Sequence, residues 1–132
     1  MSHENVEIAR RAIAQRNERL FVDPALHSPD LLYRPMATFS ESGECRGVDE
    51  LQRFFESFFE PWADDFIADI TSVREHGDAV SLRIEFSGHA RASGVAVSDV
   101  VFEVLWFRHG VITRIEDFAT SAEALRAVGL EQ

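Results

Sequence analysis

The chain has 132 residues, the size of one ordinary domain, and we expect a single domain over residues 1–132. Its 45% apolar content argues against a disordered chain. Thirteen basic against twenty-three acidic side chains give a net charge of −10, which argues against nucleic acid and anionic membrane as partners. All thirteen basic residues are arginine, so Schiff-base chemistry and lysine-anchored pyridoxal phosphate are excluded.

Targeting and metal signals are weak in this sequence. Residues 1–5 are polar with no apolar stretch behind them, which argues against a signal peptide. No window approaches the roughly eighteen apolar residues that a membrane span needs, so we expect a cytoplasmic protein with no membrane segment. The single Cys45 excludes an internal disulfide, and the five histidines lack metal-site spacing. We therefore expect solvated histidines, no metal and no cofactor.

Four segments carry helix signals. The first has apolar side chains on one stripe, and its arginines, Arg16 among them, are expected on its solvated face. The second is short and begins with an Asp-Pro pair, and the third carries a wide aromatic stripe stopped by Pro61. The fourth begins with a capping box. The predicted helices are residues 4–20, a short one from Asp23-Pro24, residues 51–62, and a C-terminal one from Thr120 to about Gly129.

Strand patterns fill the remainder of the chain. A strand precedes a polar loop, Ser40 to Gly47, and four more strands follow the aromatic helix, separated by Gly-containing hairpin turns. Helices segregated from an antiparallel meander indicate an α+β fold. The predicted strands are residues 31–39, 65–76, 78–88, 95–108 and 111–119.

The strand over residues 95–108 is apolar on both of its faces. One face can cover the helices, but the other then needs a partner to keep it from water. A second copy of the chain, packed sheet to sheet, is the simplest partner, so we expect a homodimer.

Carboxyl groups gather in the last hairpin. A three-residue loop, 108–110, would place Asp117 diagonally opposite Asp99 and Glu103 on one face. Three carboxyl groups in an apolar cavity would raise one another's pKa, so that one could act as an acid and another as a base. A two-residue turn would instead pair Glu103 with Glu116 and scatter the cluster.

The segments NVEIARRAIAQRN, LLYRPMATF, CRGVDELQRFFESFF and WFRHGVITRIEDFATSAEALRAVGL resemble the SnoaL-like branch of the nuclear-transport-factor-2-like superfamily. The resemblance covers roughly residues 4–130. It implies a cone, in which a strongly curved, mostly antiparallel sheet wraps around three N-terminal and central helices, with a short C-terminal helix. It also implies an apolar pocket inside the cone and a homodimer through the convex face of the sheet.

The superfamily includes ketosteroid isomerase, limonene-1,2-epoxide hydrolase, scytalone dehydratase, polyketide cyclases and non-enzymatic binding domains, so the fold does not settle the chemistry. Tyr33 and Asp117 match the epoxide-hydrolase pattern, but its Asn position reads Pro35. Its Arg and Asp positions read Ile84 and Phe86, and Arg83 and Glu85 fit only after a one-residue slip. The isomerase pattern lacks its first-strand carboxylate here.

The resulting hypothesis is a domain that holds a small apolar molecule, with or without acid–base chemistry of the cyclase, isomerase or dehydratase kind. The alternatives are a non-catalytic ligand-binding or structural dimerisation domain, and epoxide-hydrolase-like activity. The candidate catalytic residues are Asp117, Glu103, Tyr33 and Asp99, and the candidate ligand-binding residues are Trp62, Phe54, Phe58, Phe86, Leu105, Ile115, Val101 and Arg34.

Overall fold

The computed structural model describes residues 2–36 and 43–129, which form three α-helices and one six-stranded sheet. The α+β class is confirmed. No helix within these residues is long and apolar enough to cross a membrane. The helices are α1 (Ser2–Asn17), α2 (Gly47–Phe59) and α3 (Ser121–Ala127), and the strands are β1 (His27–Arg34), β2 (Cys45–Arg46), β3 (Ile67–His76), β4 (Ala79–His89), β5 (Ala96–Arg108) and β6 (Val111–Phe118).

The sheet has the strand order β2-β1-β6-β5-β4-β3 and is not closed. Strands β3 to β6 form the predicted antiparallel meander. Strand β1 lies parallel to β6, and the short β2 pairs antiparallel with β1 at the edge. Because β5 and β6 lie in the middle, their side chains reach the centre of the domain.

Helix α1 ends three residues before the predicted end at residue 20. Arg19 adopts a left-handed backbone conformation with φ of 64°, and the Leu20 N–H donates to the Gln15 carbonyl at 2.8 Å. A hydrogen bond of this kind, from a residue to the carbonyl five positions earlier, is a common way for a helix to end when the residue after it is left-handed. Leu20 is therefore 60% exposed instead of lying on the apolar stripe.

The predicted second helix is only one turn. Asp23 acts as its cap as expected, because its Oδ1 accepts from the Ala25 N–H at 2.8 Å. The turn stops because the Leu26 carbonyl accepts from the Ile112 N–H at 2.8 Å, which draws the backbone into the sheet. Strand β1 consequently starts at His27, four residues before the predicted start, and ends before Pro35; the predicted end at Phe39 lies outside the described residues.

The aromatic helix begins earlier and ends earlier than predicted. Gly47, with φ of 84°, leads directly into α2, so this helix starts inside the predicted polar loop. It ends at Phe59, before Pro61, and Trp62 lies beyond it in an isolated bridge with Ala90. Trp62 is therefore not part of the helix, and it is held against the end of β4.

The two faces of the sheet are covered differently. Helices α1 and α2 pack on one face, where their buried residues join the aromatic core with Leu105 and Ile115 of the sheet. Helix α3 covers part of the other face through Ala124, which packs against Val104. Its predicted capping box is confirmed, because Thr120 and Glu123 exchange hydrogen bonds at the start of α3.

Candidate functional site

The hairpin between β5 and β6 brings two acidic residues directly opposite each other. The turn consists of His109 and Gly110, with φ of 54° and 79°, so the predicted three-residue loop is wrong. A bulge at Thr113 then shifts the register by one residue, so neither predicted pairing occurs. As a result, Glu103 pairs with Asp117. The two side chains lie on one face, closer than the diagonal arrangement predicted from the sequence.

Glu103 forms a buried ion pair with Arg16 of α1. Arg16 Nη1 donates to Glu103 Oε1 at 3.0 Å, and Nη2 lies 3.0 Å from Oε2. The guanidinium also lies over the Phe55 ring, 4.6 Å from its centroid. Arg16 is 3% exposed and Glu103 2% exposed, so the prediction that Arg16 faces solvent is wrong.

Asp117 is held by the hydroxyl of Tyr33. The Tyr33 O–H donates to Asp117 Oδ2 at 2.5 Å, and both side chains are buried. Asp117 Oδ1 and Glu103 Oε2 are also buried, and neither accepts a hydrogen bond within the described part of the chain. Arg16, Tyr33, Glu103 and Asp117 together are called the polar quartet below.

Burial decides which member of the polar quartet carries a proton. Burial first, and the negative charge of Glu103 second, raise the pKa of Asp117 well above the ordinary aspartate range, whereas Tyr33 and Arg16 act weakly against this. Burial likewise raises the pKa of Tyr33. Burial lowers the pKa of Arg16, but the charge of Glu103 and its hydrogen bond outweigh that effect. Burial and the charge of Glu103 thus favour the neutral form of Asp117 beside the Arg16–Glu103 ion pair.

The space beside the polar quartet is small. A hollow of about 10 Å³ is enclosed by the quartet together with phenylalanine rings. This is close to the roughly 10–15 Å³ that one water molecule needs, so the hollow has no room for an organic molecule. The rings that enclose it are Phe54, Phe55, Phe58, Phe59 and Phe86.

A much larger cavity lies on the other side of Phe58 and Phe86. It has a volume of about 450 Å³, opens to solvent, and is called the outer cavity. Phe58 and Phe86 line both spaces, so these two rings form the wall between the outer cavity and the polar quartet. The outer cavity is lined by Ser57, Phe58, Pro61, Trp62, Phe66, Phe86, Val97, Ser98 and Asp99.

Stacked rings build the deep side of the outer cavity. Phe66 stacks on Trp62 with 5.1 Å between ring centroids and on Phe86 with 5.6 Å. Gly88 permits this arrangement, because a Cβ atom there would lie 2.4 Å from the Phe66 Cα. The Trp62 Nε1 donor is buried and lacks a hydrogen-bond partner among the described residues.

The SnoaL-like domain family matches residues 10–115, which is well over half of the chain. The chain belongs to this family. The match covers the helices and strands that build both the polar quartet and the outer cavity, apart from Asp117 at the end of β6. Among curated proteins, no significant match is found.

Solved structures similar to this SnoaL-like domain share its fold over nearly the whole length. AclR, a hydroxylase candidate from Streptomyces galilaeus, is 19% identical, with 98% of each chain covered and a TM-score of 0.75. A SnoaL-like polyketide cyclase candidate from Jannaschia is 14% identical, covering 99% of this chain and 95% of its own, with a TM-score of 0.74. A hypothetical protein with a ketosteroid isomerase-like fold from Catenulispora acidiphila, in complex with trimethylamine, is 20% identical, covering 94% of this chain and 93% of its own, with a TM-score of 0.71. At these identities the likeness shows the fold alone.

The predicted site residues fall into three places in this SnoaL-like domain. Glu103, Asp117 and Tyr33 meet in the polar quartet, as predicted. Asp99 does not join them, because it lies four residues along β5, beyond the end of β6, and is exposed at the outer cavity. Trp62, Phe58 and Phe86 line the outer cavity, whereas Phe54 lines only the small hollow.

Four predicted ligand-binding residues line neither space. Val101, Leu105 and Ile115 are on the predicted face, but they are packed in the core at no more than 1% exposure. Arg34 is held in ion pairs with Glu44 at 2.5 Å and Glu116 at 3.5 Å. The three apolar side chains are thus part of the packed core, whereas Arg34 is half exposed at the end of β1.

Arg16 is the member of the polar quartet that sequence reasoning missed. It lies three residues after Ile13 and seven after Ala9, both buried, so helical spacing places it on the inward face of α1. His27 was likewise expected at the surface but is 2% exposed, and its Nδ1 lies 2.9 Å from the Asp23 carbonyl oxygen.

Proposed function

We propose that this protein binds a small apolar molecule in the outer cavity. The observation that carries the proposal is an open space of about 450 Å³ walled by aromatic side chains, with only a few polar groups. Such a volume and lining are typical of small-molecule sites, which lie between about 300 and 1,000 Å³. Membership of a SnoaL-like family and the likeness to a polyketide cyclase candidate support a small organic ligand.

The two tryptophans allow a direct test of this site. Trp62 lines the outer cavity, whereas Trp106 packs on the opposite face of the sheet and has Arg114 over its ring. We expect 1-adamantanemethanol, a compact neutral alcohol, to shift the Trp62 indole N–H signal in a ¹⁵N NMR spectrum. The Trp106 signal should stay in place. The variant Trp106→Phe assigns the two signals.

A substitution that narrows the outer cavity tests the site, and the same substitution outside the cavity is its control. Val97→Phe should fill space at the outer cavity and weaken binding of the alcohol by about tenfold or more, because the added ring competes for the ligand's volume. The same enlargement at the exposed Val95 should leave binding unchanged. The proposal is contradicted if the alcohol shifts neither indole signal, or shifts both equally.

A second candidate function is acid–base chemistry on the bound molecule, of the cyclase, isomerase or dehydratase kind. It is favoured by the raised pKa of Asp117, which keeps a proton available one ring behind the outer cavity. Arg16 and Glu103 would stabilise charge developing nearby, and Tyr33 orients the acid. Chemistry would require Phe58 or Phe86 to rotate, since these rings separate the ligand from Asp117. Epoxide-hydrolase-like activity is a separate alternative, for which Tyr33 and Asp117 are the matching residues.

We also propose that the protein forms a homodimer through the face of the sheet opposite α1 and α2. Phe102, Trp106 and Phe118 are only half-buried on that face, where α3 gives partial cover. Sedimentation velocity should give a mass near twice the 14.9 kDa of one chain. Trp106→Glu should reduce the dimer to monomer without unfolding it. A wild-type monomer at micromolar concentration would rule out this assembly.

A further inference from the structure

We propose that the molecule held in the outer cavity carries a positively charged amine, and that Asp99 is its counter-ion. This inference rests on the proposed function and names the ligand class for the same site. Among the residues that line the outer cavity, Asp99 is the one charged group, and it is negative. The ligand is therefore an organic cation with an apolar body.

Asp99 is placed to receive a cation beside the aromatic wall. It pairs across the strands with Phe86, so the two side chains lie next to each other on the face that lines the outer cavity. The Val100 N–H donates to Asp99 Oδ1 at 2.8 Å, which orients the carboxylate. Within residues 2–36 and 43–129, no arginine or histidine pairs with Asp99. Its charge remains available to a bound amine.

The aromatic rings near Asp99 add to the attraction for a cation. A ring face carries partial negative charge and attracts ammonium groups within about 6 Å of its centroid. The same aromatic cluster already holds two cations of the protein, since Arg16 lies 4.6 Å from the centroid of the Phe55 ring and Arg19 lies 4.6 Å from the centroid of the Phe59 ring. Trp62 and Phe86 extend this cluster to the outer cavity.

The surrounding charges also favour a cation over an anion. The net charge of −10 repels anionic molecules and attracts cationic ones. Two basic groups beside the segment that carries Trp62, Arg91 and His89, are already paired with acidic side chains. Arg91 lies 3.4 Å from Asp64 while donating to the Trp62 carbonyl, and His89 lies 2.5 Å from Asp65. These two groups are therefore not free to meet an anionic ligand, and the residues that line the outer cavity include no basic side chain.

Three compounds of the same shape test the inference. The probes are 1-adamantanemethylamine, 1-adamantanemethanol and 1-adamantanecarboxylate, which present a cation, a neutral group and an anion on one apolar cage. Titrations followed by the Trp62 indole signal at pH 7 give each dissociation constant. We expect the amine to bind about fivefold tighter than the alcohol, the scale of a partly exposed ion pair, and the carboxylate to bind most weakly.

Two variants assign the preference to Asp99. Asp99→Asn should bring the amine and the alcohol to about equal affinity. Asp69→Asn is the matched control, because Asp69 is exposed on β3 and does not line the outer cavity, and it removes the same overall charge. The amine preference should survive in this control.

The outcomes separate the inference from the proposed function. If the alcohol binds but the amine binds no better, the amine inference is overturned and the proposed cavity stands. If Asp69→Asn abolishes the preference as fully as Asp99→Asn does, the general field of the protein is responsible and the role of Asp99 is overturned. If none of the three compounds shifts Trp62, the proposed function itself fails.

Discussion

Replacing Arg16 with methionine is expected to lower the free energy of unfolding by about 3–5 kcal/mol. The substitution leaves the Glu103 carboxylate buried at 2% exposure with no cation to balance its charge. Methionine fills a similar volume against Phe55, so the loss reports the unpaired charge and not a cavity. Urea denaturation of wild type and variant at pH 7 measures the difference.

Two further variants show whether the ion pair is responsible for that loss. Arg11 is exposed on the same helix, so Arg11→Met should change the free energy of unfolding by about 0.5 kcal/mol or less. The double variant Arg16→Met, Glu103→Leu should recover most of the stability, because an apolar pair can replace a buried ion pair at little cost. A loss below about 1 kcal/mol for Arg16→Met would mean that Glu103 is not charged in the folded protein.

Asp117→Asn is expected to change the pH dependence of stability. Because burial raises the pKa of Asp117, the folded protein binds this proton more tightly than the unfolded chain does. The stability contributed by Asp117 is therefore fully present below the unfolded pKa of about 3.9 and is lost as the pH rises toward the folded pKa. The rate of loss approaches about 1.4 kcal/mol per pH unit. Asparagine stays neutral and keeps an oxygen that can accept from Tyr33.

The wild type and Asp117→Asn should accordingly diverge as the pH rises from 4 to 8. The variant gains stability relative to the wild type by about 1 kcal/mol or more for each pH unit until the folded pKa is passed. Urea denaturation at five or six pH values traces the difference. Parallel curves across this range would show that Asp117 ionises normally in the folded protein.

The positions of the main elements followed from the sequence because periodicity and caps are local signals. The Thr120–Glu123 box and the four strands of the meander are of this kind. The ends of elements depended on tertiary hydrogen bonds that no local pattern contains. The turn after Asp23 gives way to β1 because Leu26 is bonded to β6, and α1 ends where Arg19 turns left-handed.

The polar quartet was only partly predictable. Glu103 and Asp117 could be placed on one interior face, and Tyr33 was a candidate through its match to a family pattern. A bulge at Thr113 set the actual register, and its position has no clear signature in the sequence. Arg16 was assigned to the surface because arginine is usually exposed. Its helical phase relative to buried neighbours was the signal that could have placed it inside.

The depth of side chains along the strands was not predictable. Alternation assigns Val101 and Leu105 to a face, but it cannot tell whether a helix covers them or a cavity does. The outer cavity lies between β5 and the segment that follows the end of α2 at Phe59, and the backbone of Phe66 in that segment packs directly against Gly88 of β4. These contacts join residues that are distant in the sequence.

A ¹³C NMR titration of the Asp117 carboxyl group, with and without 1-adamantanemethanol, tests the central claim most directly. That claim is that a neutral acid lies behind the aromatic wall of a ligand cavity. The account predicts an Asp117 pKa well above the ordinary value of about 3.9, and a change in its signal when the alcohol is bound. Titration near pH 4 with no response to the alcohol would contradict it.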